Sequence, residues 1–174
     1  MINNRSLVKV EDAKTLTYKY NVENVSFHNE LLEKFEEELA EVDLFRILVH
    51  NSSESDLHNM IIAMRKNKVI FPHKHQKTES YHIMKGKALL IFFDNDGKIE
   101  KFMKLSLTDN IIIRAAKNKY HALIILSEYA IFHETRIGPF DRLGDSEFAP
   151  WIKANDEEFM KNILIEYKRR KNDM

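Results

Sequence analysis

Apolar positions recur at helical spacing near the two ends of this chain and in short strand-like runs between them. Phe27, Leu31, Leu32, Phe35, Leu39 and Val42 fall on one face among many Glu residues, which predicts a helix over about 28–40 with Ser26 or Asn29 as its cap. From Leu44 the period shortens. Phe45–His50 reads as a strand, 51–55 (NSSES) as a loop, and Leu57–Met64 as a second strand rather than a helix, because turns flank it on both sides. Lys68–Phe71 leads into Pro72, and Tyr81–Met84 runs to a predicted turn at Lys85-Gly86-Lys87. Ala88–Phe93 is then closed by Asp94-Asn95-Asp96-Gly97, a hairpin signal. Ile99–Leu105, Ile111–Arg114, His121–Leu126 and Ala130–Thr135 supply further strands.

About nine short strands at regular spacing predict an antiparallel sandwich or barrel. Helical spacing returns in Phe159, Met160, Ile163, Leu164 and Tyr167, a predicted helix over about 155–170 capped by Asn155 or Asp156. Residues 1–25 read as a strand or an arm. The expected organisation is one mainly β domain over 1–174, with an N-terminal arm and helix (1–43), a barrel (44–151) and a C-terminal helix (152–174).

Composition narrows the function classes. With 44% hydrophobic residues, 11 Phe, 4 Gly and 3 Pro in 174 residues, the chain suits one packed core and not a linker-rich protein. A net charge of +0 gives no sign of nucleic-acid or membrane partners. The basic run Lys168-Arg169-Arg170-Lys171 reads as the cationic end of the last helix. The absence of Cys suits a reducing compartment, and no apolar run has the length of a signal peptide or a membrane span. The expectation is a cytoplasmic protein.

His73-Lys74-His75, Glu79 and His121 stand out as candidate ligands of a divalent transition metal. His73 and His75, two apart on a strand, share a face. Glu79 cannot join them along a straight strand, since six residues at about 3.3 Å each would place it roughly 20 Å from His73. A shared metal therefore requires a reversal at Gln76-Lys77-Thr78, with Glu79 opening the next strand and His121 arriving from a later one. Asn118 suits the turn before His121. From these residues alone, solvated loop histidines remain the alternative.

The pattern His73-x-His75-x3-Glu79-x6-Gly86 resembles the first motif of the cupin superfamily in every fixed residue. The second motif is degraded: Asn110 and Asn118 stand where glycines are usual, Ala116 for the proline and Ile125 for the usual Asn, while His121 is kept. A narrower resemblance over about 44–151 is to the WbuC-type cupin-fold metalloproteins. It rests on Phe45-Arg46 with His50, Pro72–His75, Lys77-x-Glu79-Ser80, Phe93-Asp94-x-Asp96-Gly97, Glu134 with Gly138-Pro139-Phe140, and Phe148–Trp151. That family is associated with bacterial O-antigen and related surface-polysaccharide gene clusters.

The resemblance implies a single cupin-type antiparallel β-barrel, jelly-roll-like, with an N-terminal and a C-terminal helix. It implies one metal (Fe, Mn, Ni or Zn) on His73, His75, Glu79 and His121, and a carbohydrate substrate such as a sugar or nucleotide sugar. Other family residues become pocket candidates: Arg46, for a carboxylate or phosphate or else for an ion pair with Glu134; His50, as a proton carrier or a core histidine; Lys77, otherwise an exposed loop lysine; and Glu134. Tyr81, two residues after Glu79, is expected to point into the same cavity, to contact substrate or simply to pack. By alternation His82 and His133 face away from the pocket, and His28 and His58 carry no signal. Trp151 is expected to anchor the C-terminal segment or stack on a sugar. A non-catalytic saccharide-binding or regulatory module and an oxygen-dependent enzyme remain open beside a metal-dependent sugar-modifying one. A homodimer through sheet edges is consistent with the fold.

Overall fold

The computed structural model of the chain describes residues 7–10, 13, 15–20, 26–27, 29–66, 68–141 and 144–172. Its strands are β1 (Leu7–Lys9), β2 (Leu16–Tyr20), β3 (Leu44–Leu48), β4 (Leu57–Arg65), β5 (Val69–Lys74), β6 (Glu79–Phe93), β7 (Ile99–Ser106), β8 (Ile112–Ala115), β9 (Tyr120–Ile137) and β10 (Glu147–Phe148). Two helices, α1 (Asn29–Glu38) and α2 (Glu157–Asn172), flank them. The ten strands form one sheet that does not close on itself. Among the described residues its named strands pair antiparallel, except for the parallel β2–β3 pair.

Two long strands replace four short ones. Lys85-Gly86-Lys87 is not the expected turn: β6 continues through it, with register shifts between Ile83 and Lys85 and between Gly86 and Ala88. Likewise His121–Leu126 and Ala130–Thr135 belong to one strand, β9, paired with β6 along its length. Sequence periodicity marks these places as breaks because side-chain alternation is interrupted there, whereas the backbone pairing bends and carries on. Gly86 makes the bend possible. Its φ is 80°, and a Cβ there would lie 2.2 Å from the Tyr129 carbonyl oxygen. Beside it the Ser127 hydroxyl accepts a 2.8 Å hydrogen bond from the Lys87 amide.

The bent sheet encloses an interior apolar cluster that includes Met60, Ile62, Ile83, Leu90, Leu123 and Phe132. Its outer faces are covered by the helices. On one side α1 inserts Leu31 and Phe35, with Phe35 fully buried and its ring centroid 4.4 Å from that of Phe45. On the other, α2 inserts Met160 and Ile163. Asp156 caps α2, its carboxylate accepting the Phe159 amide at 2.9 Å. Arg169, Arg170 and Lys171 close the helix as the dipole favours, and Glu166 accepts hydrogen bonds from both arginines. Trp151 anchors the segment before α2 against Phe93, Tyr120 and Phe159, and it covers Gly97 of the β6–β7 hairpin. No helix among the described residues is long and apolar enough to cross a membrane.

Gly86→Ala is expected to lose roughly 2 kcal/mol or more of stability, from left-handed strain plus the clash with Tyr129. Lys87→Ala on the same bulge should stay within about 0.5 kcal/mol. Urea unfolding of the two variants checks the pair.

Candidate metal centre and its polar surroundings

Four buried side chains meet at one end of the interior: His73 from β5, His75 just beyond it, Glu79 as the first residue of β6, and His121 from β9. Their ligand atoms all lie within 4.8 Å of one another. The chain reverses over 76–78, as a shared site requires, and the Asn118 amide reaches across to the His75 carbonyl at 2.7 Å. Asn118 adopts a φ of 58°, so the left-handed residue expected of this turn survives without glycine. His73 pairs directly with His121 across β5 and β9.

Backbone carbonyls orient all three imidazoles. Nδ1 of His73 meets the Phe71 carbonyl at 2.8 Å, that of His121 meets Lys119 at 2.9 Å, and that of His75 meets Asp145 at 2.5 Å. A carbonyl accepts only, so each Nδ1 carries hydrogen, and the neutral rings of His73 and His75 turn their Nε2 lone pairs inward. The Nε2 atoms of His73 and His75 then face each other at 3.0 Å. Two bare lone pairs at that distance repel unless a cation lies between them.

Glu79 completes the set. Its Oε1 accepts the Tyr81 hydroxyl at 2.8 Å and stands 2.6 Å from His121 Nε2. Its Oε2 is buried with no hydrogen-bond partner, 3.4 Å from His75 Nε2. Burial, together with neighbouring imidazoles, lowers the pKa of His73 to about 3 and also lowers that of His75, so both are neutral donors near pH 7. Burial alone would raise Glu79 and lower His121, but their mutual hydrogen bond and charge outweigh it, lowering Glu79 and raising His121. Inward imidazole nitrogens, a carboxylate and an orphaned buried oxygen form a donor set that fits a divalent transition metal.

A second polar layer lies behind the ligands. Arg136 pairs with Asp145 at 2.5 Å, and its Nη1 lies 3.4 Å from His75 Nδ1. Sequence reasoning passed over both residues. Arg136 was legible in principle: it is two beyond Glu134 on one strand, hence on the same face. Asp145 carried no such signal, because it arrives from an irregular segment.

The predicted pocket residues divide. Tyr81 points to the ligands as expected, its hydroxyl also 3.3 Å from His121 Nε2. Glu134 is buried opposite Tyr81 in the β6–β9 register. Arg46 lies on the interior side of β3, between Leu44 and Leu48, which pack on the interior cluster. It makes no ion pair with Glu134 among the described residues. His50, read as part of the strand that carries Arg46, falls beyond the end of β3. It bonds the Asn59 backbone and stacks on His58, centroids 4.0 Å apart. His58, which carried no sequence signal, is buried, and its Nε2 meets the Ser53 carbonyl at 3.1 Å. Lys77 donates to the Pro139 carbonyl. His82 is exposed and His133 bonds the Asn59 side chain, both away from the site, while His28 lies outside the described residues. A cleft of about 240 Å³ lined by Phe71, Phe148 and Ile152 flanks the site but holds none of its ligands.

The family model "Domain of unknown function (DUF6016)" matches residues 45–105. No curated protein matches the chain. Among solved structures, oxalate decarboxylase from Bacillus subtilis at pH 4.6 is similar at 17% identity and a TM-score of 0.50, covering 70% of this chain and 31% of that one. The DMSP lyase DddQ from Ruegeria pomeroyi matches at 16% identity and a TM-score of 0.46, over 57% of this chain and 47% of the lyase. KdgF from Halomonas sp. matches at 15% identity and 0.46, over 57% of this chain and 82% of that one. The chain thus spans less than two thirds of the decarboxylase and of the lyase. The likeness to the decarboxylase shows the fold as cupin-type.

Burial, and then the Glu79 charge, raise the Glu134 carboxyl to about 7. A raised folded pKa makes its contribution full below the unfolded value and loses it as pH climbs through about 7. Glu134 should therefore cost stability progressively between about pH 4.5 and 7, by an amount on the order of 3 kcal/mol. Glu134→Gln is expected to flatten that slope, as read from urea midpoints at pH 5 and pH 8.

Proposed function

We propose that this chain is a metal-dependent cupin-type protein that binds or modifies a sugar or nucleotide-sugar intermediate of bacterial surface-polysaccharide biosynthesis. One observation carries the metal part: inward Nε2 atoms of His73 and His75 stand 3.0 Å apart beside an unpartnered, buried Glu79 Oε2. His73, His75, Glu79 and His121 would hold the ion. A bound divalent metal would supply Lewis acidity toward a substrate oxygen.

The remaining steps belong to the chain's own groups. Tyr81 keeps its proton, because burial and the Glu79 charge push its pKa well above the ordinary value, and its hydroxyl fixes the Glu79 carboxylate. Glu134 is the proton carrier, held near neutrality where donor and acceptor forms are both accessible. Arg136 and Asp145 hold the His75 ring in place. The sugar reading rests on the resemblance to WbuC-type proteins over 44–151, and the cytoplasm is the compartment proposed for it.

Metal analysis of protein purified without chelators tests the reading. About one divalent transition metal per chain is expected, falling below a tenth in His75→Ala while circular dichroism stays unchanged. Retention of the metal by a folded His75→Ala variant would rule out this ligand set. Incubating metal-loaded protein with a panel of nucleotide sugars, followed by proton NMR, then separates turnover from binding alone.

A further inference from the structure

Arg46 is a charged group left over by the arrangement described above. Its strand is an interior one: Phe45 and Ile47 point outward to α1, and Arg46 shares the opposite face with Leu44 and Leu48. The residue is partly exposed, yet its Nε is buried and has no hydrogen-bond partner. Among the described residues, no ion pair or hydrogen bond to its guanidinium occurs at all. Arg136, the other interior arginine, is held by Asp145. Burial lowers the pKa of Arg46, the Glu134 charge opposes that shift, and Arg136 adds to it. An interior cation with no anion in contact is costly, and native interiors leave very few such groups unsatisfied.

Glu134 shares that face across β4, where Arg46 pairs with Ile62 and Glu134 with Met60, and it is equally unpaired. It too makes no hydrogen bond or ion pair among the described residues, although it and Arg46 influence each other's charge. A guanidinium and a carboxyl therefore share one interior without touching. Strand register places this pair next to the ligand cluster: Glu134 lies opposite Tyr81, whose hydroxyl bonds Glu79.

We propose that Arg46, faced by Glu134, is the anchor for a carboxylate group on the ligand of this site. The planar guanidinium fork matches a carboxylate with two parallel hydrogen bonds. One free arginine facing an acid suits a singly charged planar anion, whereas a phosphate brings up to two charges and three acceptor oxygens. This deepens the proposed function, resting on it for the location beside the ligand cluster, and defines the ligand as an acid: a uronic acid if it is a sugar.

Isothermal titration of the full chain, metal-loaded, uses D-glucuronate, D-glucose and D-glucose 6-phosphate, which keep one ring and change the charged group. L-lactate is added as a carboxylate without a sugar. The expected result is saturable binding of a carboxylate probe, with the neutral and phosphorylated sugars at least about tenfold weaker. Arg46→Met should weaken carboxylate binding roughly 10- to 100-fold, Arg46→Lys should recover part of it, and metal content should be unchanged in both. If Arg46→Met does not fold, the loss in folded Arg46→Lys is the deciding value.

Equal binding of glucuronate and glucose, tighter binding of the phosphate, no carboxylate binding at millimolar concentration, or unchanged binding in a folded Arg46 variant would each overturn the assignment. The two readings fail separately. Lactate binding that depends on Arg46, with no glucuronate binding, removes the sugar and keeps the carboxylate. Arg46-dependent binding by protein that takes up no metal removes the metal and keeps the carboxylate.

Discussion

The antiparallel pairing of β6 with β9 is the interaction on which both the fold and the site rest. The two strands run side by side from Glu79 opposite Arg136 to Phe93 opposite Tyr120, and the ribbon they make shifts register on either side of Gly86. One half of the ribbon carries Glu79, Tyr81, Glu134 and Arg136 into the interior; the other carries His121 beside Phe92. These five polar side chains therefore depend on a single register. A slip of one residue would turn all of them outward and expose the apolar positions that alternate with them.

The strand and helix content was readable because it rests on local rules. Leu31, Phe35 and Leu39 announce α1 through helical spacing, and 94–97 announces its hairpin through turn chemistry. The chain reversal between His75 and Glu79 was readable too, since metal–ligand distances leave no other way to bring the two together. Continuity was not readable. Side-chain periodicity registers a bulge and a turn alike as a break, so β6 and β9 each looked like two strands. The candidate ligand cluster was legible and its support was not. His73, His75, Glu79 and His121 follow a spaced motif, whereas Asp145 reaches His75 through a backbone carbonyl, an acceptor every residue possesses. His58 escaped notice for a related reason: its significance is a ring stacked on His50, which strand pairing alone brings near.

The degraded second motif shows how one geometry can be reached by different residues. Where a glycine is usual, Asn118 takes up the left-handed conformation itself, and its amide ties the turn to the His75 carbonyl. The turn leading to His121 is thus fastened to the strand end that bears two other ligands. A backbone hydrogen bond between ligand segments replaces part of the rigidity that proline gives such turns elsewhere.

The direct pairing of His73 with His121 across β5 and β9 has a thermodynamic consequence. Ligand atoms that converge only when distant strands are in register belong to the folded chain and are scattered in the unfolded one. Any ion they hold binds one state and not the other, so its free concentration enters the unfolding equilibrium logarithmically. Strand pairing and ion occupancy are then two readouts of one linked equilibrium, and each can be titrated by watching the other.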